Sequence, residues 1–347
     1  MAQRRERLTG AASVPARIGM DALLVADLSE PTRRCVGQFL FALHHFDRFN
    51  EYLLYAPRGG SHAIGANCDL PHWRIVETKL PTQWAWLRRL AHQSAFLAIA
   101  SRDRLDIVHA LTAISPFATQ KPSLDAAPPV IVTVWEEPSS DRLTAASLQQ
   151  AWCIAAASGY LARTVQERFE VPEEKVRVMP VGIDPLFIAD PFAESAGKRA
   201  VVWGQVPAWV REGLQKVQVA WQGLPKEVTG QAAKNALSEA GIVIVTESDG
   251  RGSQGLCAAA MGKWVVAVPL APLQEVLNDA ALWLNESKPE SVILALERIW
   301  DDAAWRERTR RQMHRLTQQR QWTQAVKAWV GLYRRVFEEA IAEFVGW

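Results

Sequence analysis

The stretch AGIVIVTESDGRGSQGLCAAAMGKWVVA, residues 240–267, decides the fold of this chain. An apolar run rich in β-branched residues is followed by a glycine-rich turn, a run of small residues and a second apolar run. This order predicts a strand, a turn, a helix and a strand of a parallel α/β sheet. The turn contains a GxGxxG pattern at Gly250, Gly252 and Gly255. Glycines at such a turn let the backbone approach a phosphate, which the amides at the helix N-terminus would bind.

A GxGxxG pattern is also typical of dinucleotide-binding enzymes. Those sites usually add an acidic residue about 20 positions further on, at the end of the next strand. Here the next strand runs into Val266, Ala267, Val268 and Pro269 without an acid, and Glu275 comes later in the following turn. The pattern therefore disfavours a dinucleotide-dependent enzyme.

Composition indicates a globular protein of two α/β domains. The chain has 347 residues, of which 49% are hydrophobic and 22% charged, and this length is ample for two cores. The net charge of +2 is close to neutral and does not favour nucleic acid as a partner. No apolar run reaches the roughly 18 residues of a membrane span.

The cysteines and two basic segments bear on the compartment. Four cysteines lie far apart without CxxC spacing, which favours reduced thiols and a cytoplasmic protein over disulfides. Residues 1–17 carry arginines but no signal-peptide core and are predicted to form a disordered tail. Residues 306–320 are strongly basic. We favour a solvated helix face for them, with contact to an anionic membrane or to nucleic acid as the alternatives.

The remaining pattern alternates strands and helices. A first strand is expected over residues 18–26, a turn over 29–31, a helix over 36–46 and a strand over 51–56. Residues 190–198 are polar and rich in breakers, so they are the predicted linker. We expect a first domain over 18–190 and a second over 198–320. A C-terminal helix over 321–347 is expected to return to the first domain.

Six segments, taken in order, are similar to glycosyltransferase family 4, the retaining enzymes with two facing Rossmann-like domains known as the GT-B fold. They are RIGMDALLV with VGQFLFALHHFDRFNEYLLY (17–25, 36–55), LDIVHA (105–110), VIVTVW (130–135), VPEEKVRVMPVGIDPLF (171–187), DGRGSQGLCAAAMGKWVVAV (249–268) and LQEVLNDAALWL (273–284). The resemblance implies an α/β fold with two parallel sheets. The second domain would be shortened, because only about 40 residues separate Gly204 from Ile242.

The resemblance also implies a nucleotide-sugar donor and a glycan or lipid-linked acceptor, with no cofactor, metal ion or nucleic acid. Donor contacts fall on residues that follow two strands of the second domain: Gly204, Gln205, Arg211, Gly250, Gly252, Gly255, Leu256 and Cys257. The arginine and lysine that neutralise the pyrophosphate in the family correspond to Gln205 and Val210, and Arg211 lies one residue further on. The family's paired glutamates correspond to Asp249 and Cys257. A thiol cannot accept hydrogen bonds from both ribose hydroxyls.

On the acceptor side the resemblance points to four residues. The family's "HD" pair corresponds to Trp135 and Glu136, so Glu136 is a candidate catalytic carboxylate together with Asp249. A solvated pair of Glu136 and Glu137 at the end of the strand is the alternative. Trp135 would lie next to the sugar. Gly37 is the one glycine left in EPTRRCVG, where the family has a glycine-rich loop. His109 ends a strand and is expected either to line the site or, as we favour, to be a structural histidine.

Two functional hypotheses stay open. A hydrogen bond to a charged group contributes roughly 1.5–3 kcal/mol. Losing three independent contacts would therefore lower donor affinity or turnover about a thousandfold to a millionfold. The chain is then either a divergent transferase that still moves a hexose, or a catalytically silent partner in a glycan-assembly system.

Overall fold

A computed structural model describes residues 15–58, 72–78, 89, 92, 93, 96, 99–118, 127–189 and 198–345. The chain divides into two compact units, of which the second comprises residues 158–160 and 180–324 and the first comprises the rest. Most of the predicted linker (residues 190–197 of 190–198) and most of the predicted tail (residues 1–14 of 1–17) lie outside the described residues. The first strand nevertheless begins at Arg17, inside the predicted tail.

The first unit is built on a parallel sheet of seven strands in the order β3-β2-β1-β4-β5-β6-β7. The strands are β1 (Arg17–Asp21), β2 (Glu51–Pro57), β3 (Trp73–Thr78), β4 (Ile107–Ala110), β5 (Val130–Val134), β6 (Cys153–Ala156) and β7 (Val176–Val178). The helices with described bounds are α1 (Glu30–Phe46), α2 (Arg142–Gln150), α3 (Gly159–Phe169) and the C-terminal α10 (Trp322–Val345), which belongs to this unit from residue 325 onward.

The second unit is built on a parallel sheet of five strands in the order β12-β11-β10-β8-β9. The strands are β8 (Ala200–Trp203), β9 (Trp221–Leu224), β10 (Ile242–Val245), β11 (Trp264–Ala267) and β12 (Ala281–Trp283). The helices are α4 (Ala208–Lys216), α5 (Gly230–Ser238), α6 (Ser253–Ala260), α7 (Ala271–Leu277), α8 (Pro289–Asp301) and α9 (Ala303–Gln319). The predicted strand–turn–helix–strand unit is β10, α6 and β11.

Each sheet has one place where the direction of strand addition reverses. In the first sheet the chain adds β2 and β3 on one side of β1 and then β4 to β7 on the other. In the second it adds β9 on one side of β8 and then β10 to β12 on the other. Ligands of open α/β sheets bind beyond the carboxyl ends of strands at such a point. The β8/β10 position is therefore where a ligand of the second unit is expected.

Local predictions near the N-terminus need correction. The strand predicted over 18–26 ends at Asp21. The turn predicted over 29–31 is wrong, because α1 begins at Glu30 and carries Pro31 in its first turn. Proline fits there, since the first amides of a helix have no intrahelical partner. The EPTRRCVG segment is consequently helical and forms no loop.

Each unit has its own hydrophobic core. In the second unit β8, β10 and β11 are buried along their whole length, as expected for parallel strands covered on both faces. In the first unit the core includes Trp329 and Tyr333 of α10, both without exposed surface. Among the described residues no helix combines the length and the hydrophobicity needed to cross a bilayer.

Candidate functional site

Two loops meet at the carboxyl ends of β8 and β10. Thr246 Oγ1 donates a hydrogen bond to the Gln205 carbonyl oxygen at 2.6 Å, and the Gln205 N–H donates to the Glu247 carboxylate at 3.0 Å. Gly204 has a φ of +114°, and a Cβ there would lie 2.6 Å from Thr246 Oγ1. Only glycine allows this close approach. These contacts therefore hold the loop after β8 and the loop after β10 together at the carboxyl ends of the strands.

Asp249 follows β10 and lies at the N-terminus of α6, where its carboxylate is already bound. It accepts hydrogen bonds from the Ser253 hydroxyl at 2.6 Å, the Ser253 N–H at 3.2 Å and the Arg251 N–H at 3.1 Å. The Arg251 guanidinium forms an ion pair with it at 2.7 Å. Burial opposes ionisation of Asp249, but Arg251 and Ser253 outweigh it and lower the pKa of the carboxyl group. The amides expected to bind phosphate thus bind Asp249.

The glycines of the GxGxxG pattern are used for packing. Gly252 has a φ of +70°, and a Cβ there would lie 2.7 Å from the Pro272 carbonyl oxygen. A Cβ on Gly255 would lie 2.6 Å from Leu277. Pro272 and Leu277 both belong to α7. These two glycines therefore let α7 approach α6, while Gly250, with a φ of +82°, shapes the turn before them.

The other predicted donor residues differ in exposure. Gln205 is exposed, whereas Leu256 and Cys257 are buried in α6. Val210, at the position of the family's lysine, has no exposed surface. Arg211 is exposed on the first turn of α4, and its side chain forms no ion pair or hydrogen bond with the residues that the structure describes.

Sequence reasoning missed Thr246, Glu247 and Lys226. The Glu247 side chain is 26% exposed and its second oxygen lies 4.0 Å from Lys226 Nζ. Lys226 follows β9 and Glu247 follows β10, so the rule that strand ends share an edge could have found both. The glycine pattern predicts a site at the N-terminus of α6 instead.

In the first unit Trp135 and His109 lie in one buried aromatic cluster. Trp135 is 1% exposed, its ring centre lies 5.5 Å from those of Phe39 and Trp329, and its Nε1 donates to the Leu111 carbonyl oxygen at 3.2 Å. His109 Nδ1 lies 2.8 Å from the Tyr333 hydroxyl oxygen. Burial lowers the pKa of His109 to about 3, so the imidazole is neutral at physiological pH.

Glu136 acts on the start of α1. Its carboxylate accepts hydrogen bonds from the Ser29 N–H at 3.3 Å, from the Ser29 hydroxyl and from Thr32 Oγ1 at 2.6 Å. A carboxylate is favourable at a helix N-terminus because it faces the positive end of the helix dipole. Gly37 lies half-buried in the middle of α1.

The structure therefore places Gly204, Gln205 and Asp249 at the carboxyl ends of β8 and β10, whereas Leu256 and Cys257 lie inside α6. Trp135, His109 and Glu136 have structural contacts within the first unit. Within the described residues, no group of three or more His, Cys, Asp or Glu side chains is placed to hold a metal ion. Cys35, Cys153 and Cys257 are buried and form no disulfide within the described residues, and Cys68 lies outside those residues.

Comparison with solved structures identifies the fold. A glycosyltransferase from Rickettsia africae ESF-5 superposes with a TM-score of 0.64 at 12% identity, covering 93% of this chain and 99% of that chain. Sucrose-phosphate synthase from Thermosynechococcus elongatus gives 0.62 at 14%, covering 93% and 99%. Anabaena HepE in complex with UDP and glucose gives 0.59 at 12%, covering 95% and 99%. The chain has the GT-B fold, as predicted.

A family model matches part of the sequence. Residues 44–186 match the model of Glycosyltransferase Family 4, which confirms the predicted relation to that family. A comparison with curated proteins finds no significant match.

Proposed function

We propose that this protein works in glycan assembly as a degenerate family 4 member. It binds the nucleotide part of a nucleotide sugar weakly at the β8/β10 edge and does not transfer a hexose at an ordinary rate. One observation carries the proposal: the Asp249 carboxylate occupies the N-terminus of α6 and is paired with the buried Arg251. The bound UDP and glucose of HepE support a nucleotide-sugar ligand for this fold.

A pyrophosphate and the Asp249 carboxylate would compete for the same N–H donors at α6. A pyrophosphate at α6 would need the Arg251 and Ser253 amides, which already bind Asp249. Displacing the carboxylate breaks a buried ion pair, which costs about 3–5 kcal/mol. At about 1.4 kcal/mol per decade this lowers affinity on the order of a hundredfold to several thousandfold. Gln205 and the buried Val210 supply no charge to recover the loss.

The test is binding and turnover of the wild-type protein. Thermal shift and calorimetry with UDP, GDP and their sugar forms report binding, because a ligand of the native state stabilises it as RT ln(1 + [L]/Kd). We expect a small shift at millimolar UDP or GDP and no steady release of nucleoside diphosphate from the sugar forms. Tight binding with sustained release would overturn the proposal of a degenerate site.

An active hexosyltransferase is the second candidate, and Glu247 favours it. Its partly exposed carboxylate lies at the same edge as Gln205 and could accept a ligand hydroxyl in place of the glutamate missing at Cys257. If turnover is found, Glu247→Gln is expected to raise KM and Asp249→Ala to lower kcat. Glu239→Gln is the matched control, because Glu239 precedes β10 and so lies at the opposite edge of the sheet.

The burial of Val210 and Cys257 decides how a missing charge can be restored. Val210→Lys and Cys257→Glu would each place a charge in the core, so we expect both to destabilise the second unit. Gln205→Arg places the charge at an exposed position. It should tighten UDP binding by up to about fivefold, since an exposed ion pair contributes at most about 1 kcal/mol. Unchanged calorimetric affinity would show that position 205 does not face the phosphates.

A further inference from the structure

Three loops of the second unit are joined by hydrogen bonds at the carboxyl end of its sheet. The loop after β9 meets the loop after β8, because the Gly204 N–H donates to the Leu224 carbonyl oxygen at 2.8 Å. The loop after β8 meets the loop after β10, because the Gln205 N–H donates to the Glu247 carboxylate at 3.0 Å. Lys226 follows Leu224 in the loop after β9. The candidate site at the β8/β10 edge therefore extends to the end of β9.

Lys226 keeps its charge accessible to a ligand. Its side chain is 47% exposed, and its one ion pair among the described residues is with Glu247, at 4.0 Å. An exposed pair at this distance contributes little, so a bound anion can replace Glu247 as the partner of Lys226. Arg251 differs, because it is 4% exposed and is held by Asp249 at 2.7 Å. Of these two cations, Lys226 is the one that a ligand can reach.

The surroundings of Lys226 fit a phosphate group. Because β9 is the edge strand, no further strand of this sheet lies beyond the loop that follows it. A lysine ammonium binds phosphate as a compact point charge and does not need the fixed geometry of a guanidinium. Gln205 corresponds to the family's pyrophosphate-binding arginine, and Lys226 contacts the same carboxylate that binds the Gln205 N–H. A positive charge is therefore present beside the position where the family's charge is missing.

We propose that Lys226 binds the diphosphate group of the ligand at the end of β9, in place of the charges that are missing at Gln205 and Val210. The inference rests on the proposed function for the nucleotide part of that ligand, whereas the role of Lys226 rests on the contacts of the three loops. Glu247 opposes the binding of an anion that has no hydroxyl group, because its carboxylate lies next to Lys226. An exposed ion pair changes affinity by at most about fivefold, so binding remains weak.

The experiment is calorimetric titration of the full chain with sodium pyrophosphate, UDP and uridine at low salt. Lys226→Gln should weaken the binding of pyrophosphate and UDP about threefold to fivefold and leave uridine unchanged, because uridine has no phosphate. Glu247→Gln should tighten pyrophosphate binding about twofold to fivefold, since it removes the negative charge and keeps an acceptor for the Gln205 N–H. Opposite effects of the two variants distinguish a phosphate contact from a structural ion pair, whose loss would act in the same direction in both.

Lys216→Gln is the matched control. Lys216 has the same 47% side-chain exposure and forms a surface ion pair with Glu212 at 2.9 Å. It is the last residue of α4, which runs antiparallel to β8, so it lies at the opposite end of the sheet. All three titrations should be unchanged by Lys216→Gln. Thermal unfolding without ligand verifies that each variant is folded, which the exposure of both lysines leads us to expect.

Salt dependence gives a second measurement of the same contact. Raising the salt concentration to about 0.5 M screens interactions between exposed charges. The wild type should therefore lose more of its affinity for pyrophosphate than Lys226→Gln does. Equal losses in the two proteins would overturn the assignment of the anion to Lys226.

The outcomes separate this inference from the proposed function. If the wild type binds UDP and Lys226→Gln binds it equally well, or if Arg211→Gln weakens binding and Lys226→Gln does not, the inference is overturned and the proposed function stands. Tight UDP binding with turnover that Lys226→Gln weakens would support the inference and refute the degenerate site. Binding of pyrophosphate through Lys226 without binding of UDP would support the inference and refute a nucleotide ligand. A wild type that binds neither compound at millimolar concentration overturns both.

Discussion

At the scale of single residues, the chemistry of the candidate site depends on which partner each charge has. The resemblance leaves Asp249 as the one carboxylate at the family's paired-glutamate positions, and in the structure it neutralises Arg251, which is 4% exposed. A buried arginine without its partner is costly. Asp249 therefore has a structural role that any catalytic role would have to share.

Replacing Asp249 should accordingly change stability in the absence of any ligand. Asp249→Asn is expected to cost about 3–5 kcal/mol of the free energy of unfolding at neutral pH. Because the folded-state pKa of Asp249 is lowered, its contribution is present above the unfolded value of about 3.9 and is lost as pH falls through the folded value. Urea denaturation at several pH values measures this. The exposed Asp301→Asn serves as control, and equal stability of both variants would contradict the buried pair.

His109 gives a second pH signature at a higher pH. Its folded-state pKa of about 3 lies below the ordinary 6.5, so the unfolded chain binds the proton and the native state does not. Stability due to His109 is full above about pH 6.5 and should fall by about 1.4 kcal/mol per unit as pH drops toward 3. His109→Gln should flatten the urea-derived profile between pH 6 and 4. The exposed His45→Gln should leave it unchanged, and a profile insensitive to His109 would refute its neutral burial.

At the scale of elements, the glycine-rich turn illustrates how one pattern can serve two purposes. The sequence predicted β10, α6 and β11, and the structure has all three. The same glycines predict a turn whose amides bind phosphate. Gly252 and Gly255 instead meet α7 at distances that leave no room for a Cβ. The packing of α6 against α7 is therefore sufficient to require glycine at both positions.

Two glycine-to-alanine variants distinguish helix packing from phosphate binding as the reason for these glycines. Gly255→Ala should destabilise the protein by about 1–3 kcal/mol, because its methyl group would overlap Leu277. Gly331→Ala in α10 should stabilise it by about 0.5–1 kcal/mol, since nothing lies within 4 Å and alanine is the better helix former. Chemical denaturation gives both values. Neutral Gly255→Ala combined with lost nucleotide binding would restore the phosphate interpretation.

At the scale of the whole molecule, the last helix completes the first core. Trp329 is fully buried against Phe39 of α1, His109 of β4 and Trp135 at the end of β5. The ring is thus shared by elements separated by almost the full length of the chain. The first unit therefore needs residues from both ends of the sequence.

Trp329→Ala should destabilise the first unit by about 3–5 kcal/mol. Amide hydrogen exchange can assign the loss to a unit: protection should fall in β1, β4 and β5, while β8, β10 and β11 keep theirs, because each sheet has its own core. Leu294→Ser, at an exposed site of α8, is the control. Equal loss of protection in both sheets would contradict two separate cores.

The sequence by itself determined the parallel strands, the glycine turn and the relation to family 4, because periodicity and motif order are properties of neighbouring residues. It could not determine that Asp249 pairs with Arg251, that α7 fills the space at Gly252, or that Phe39 is buried and Phe41 exposed. His109 and Tyr333 touch across 224 residues. Such contacts arise only when the sheet brings distant segments together, so tertiary packing decided which predicted site residues remain available to a ligand.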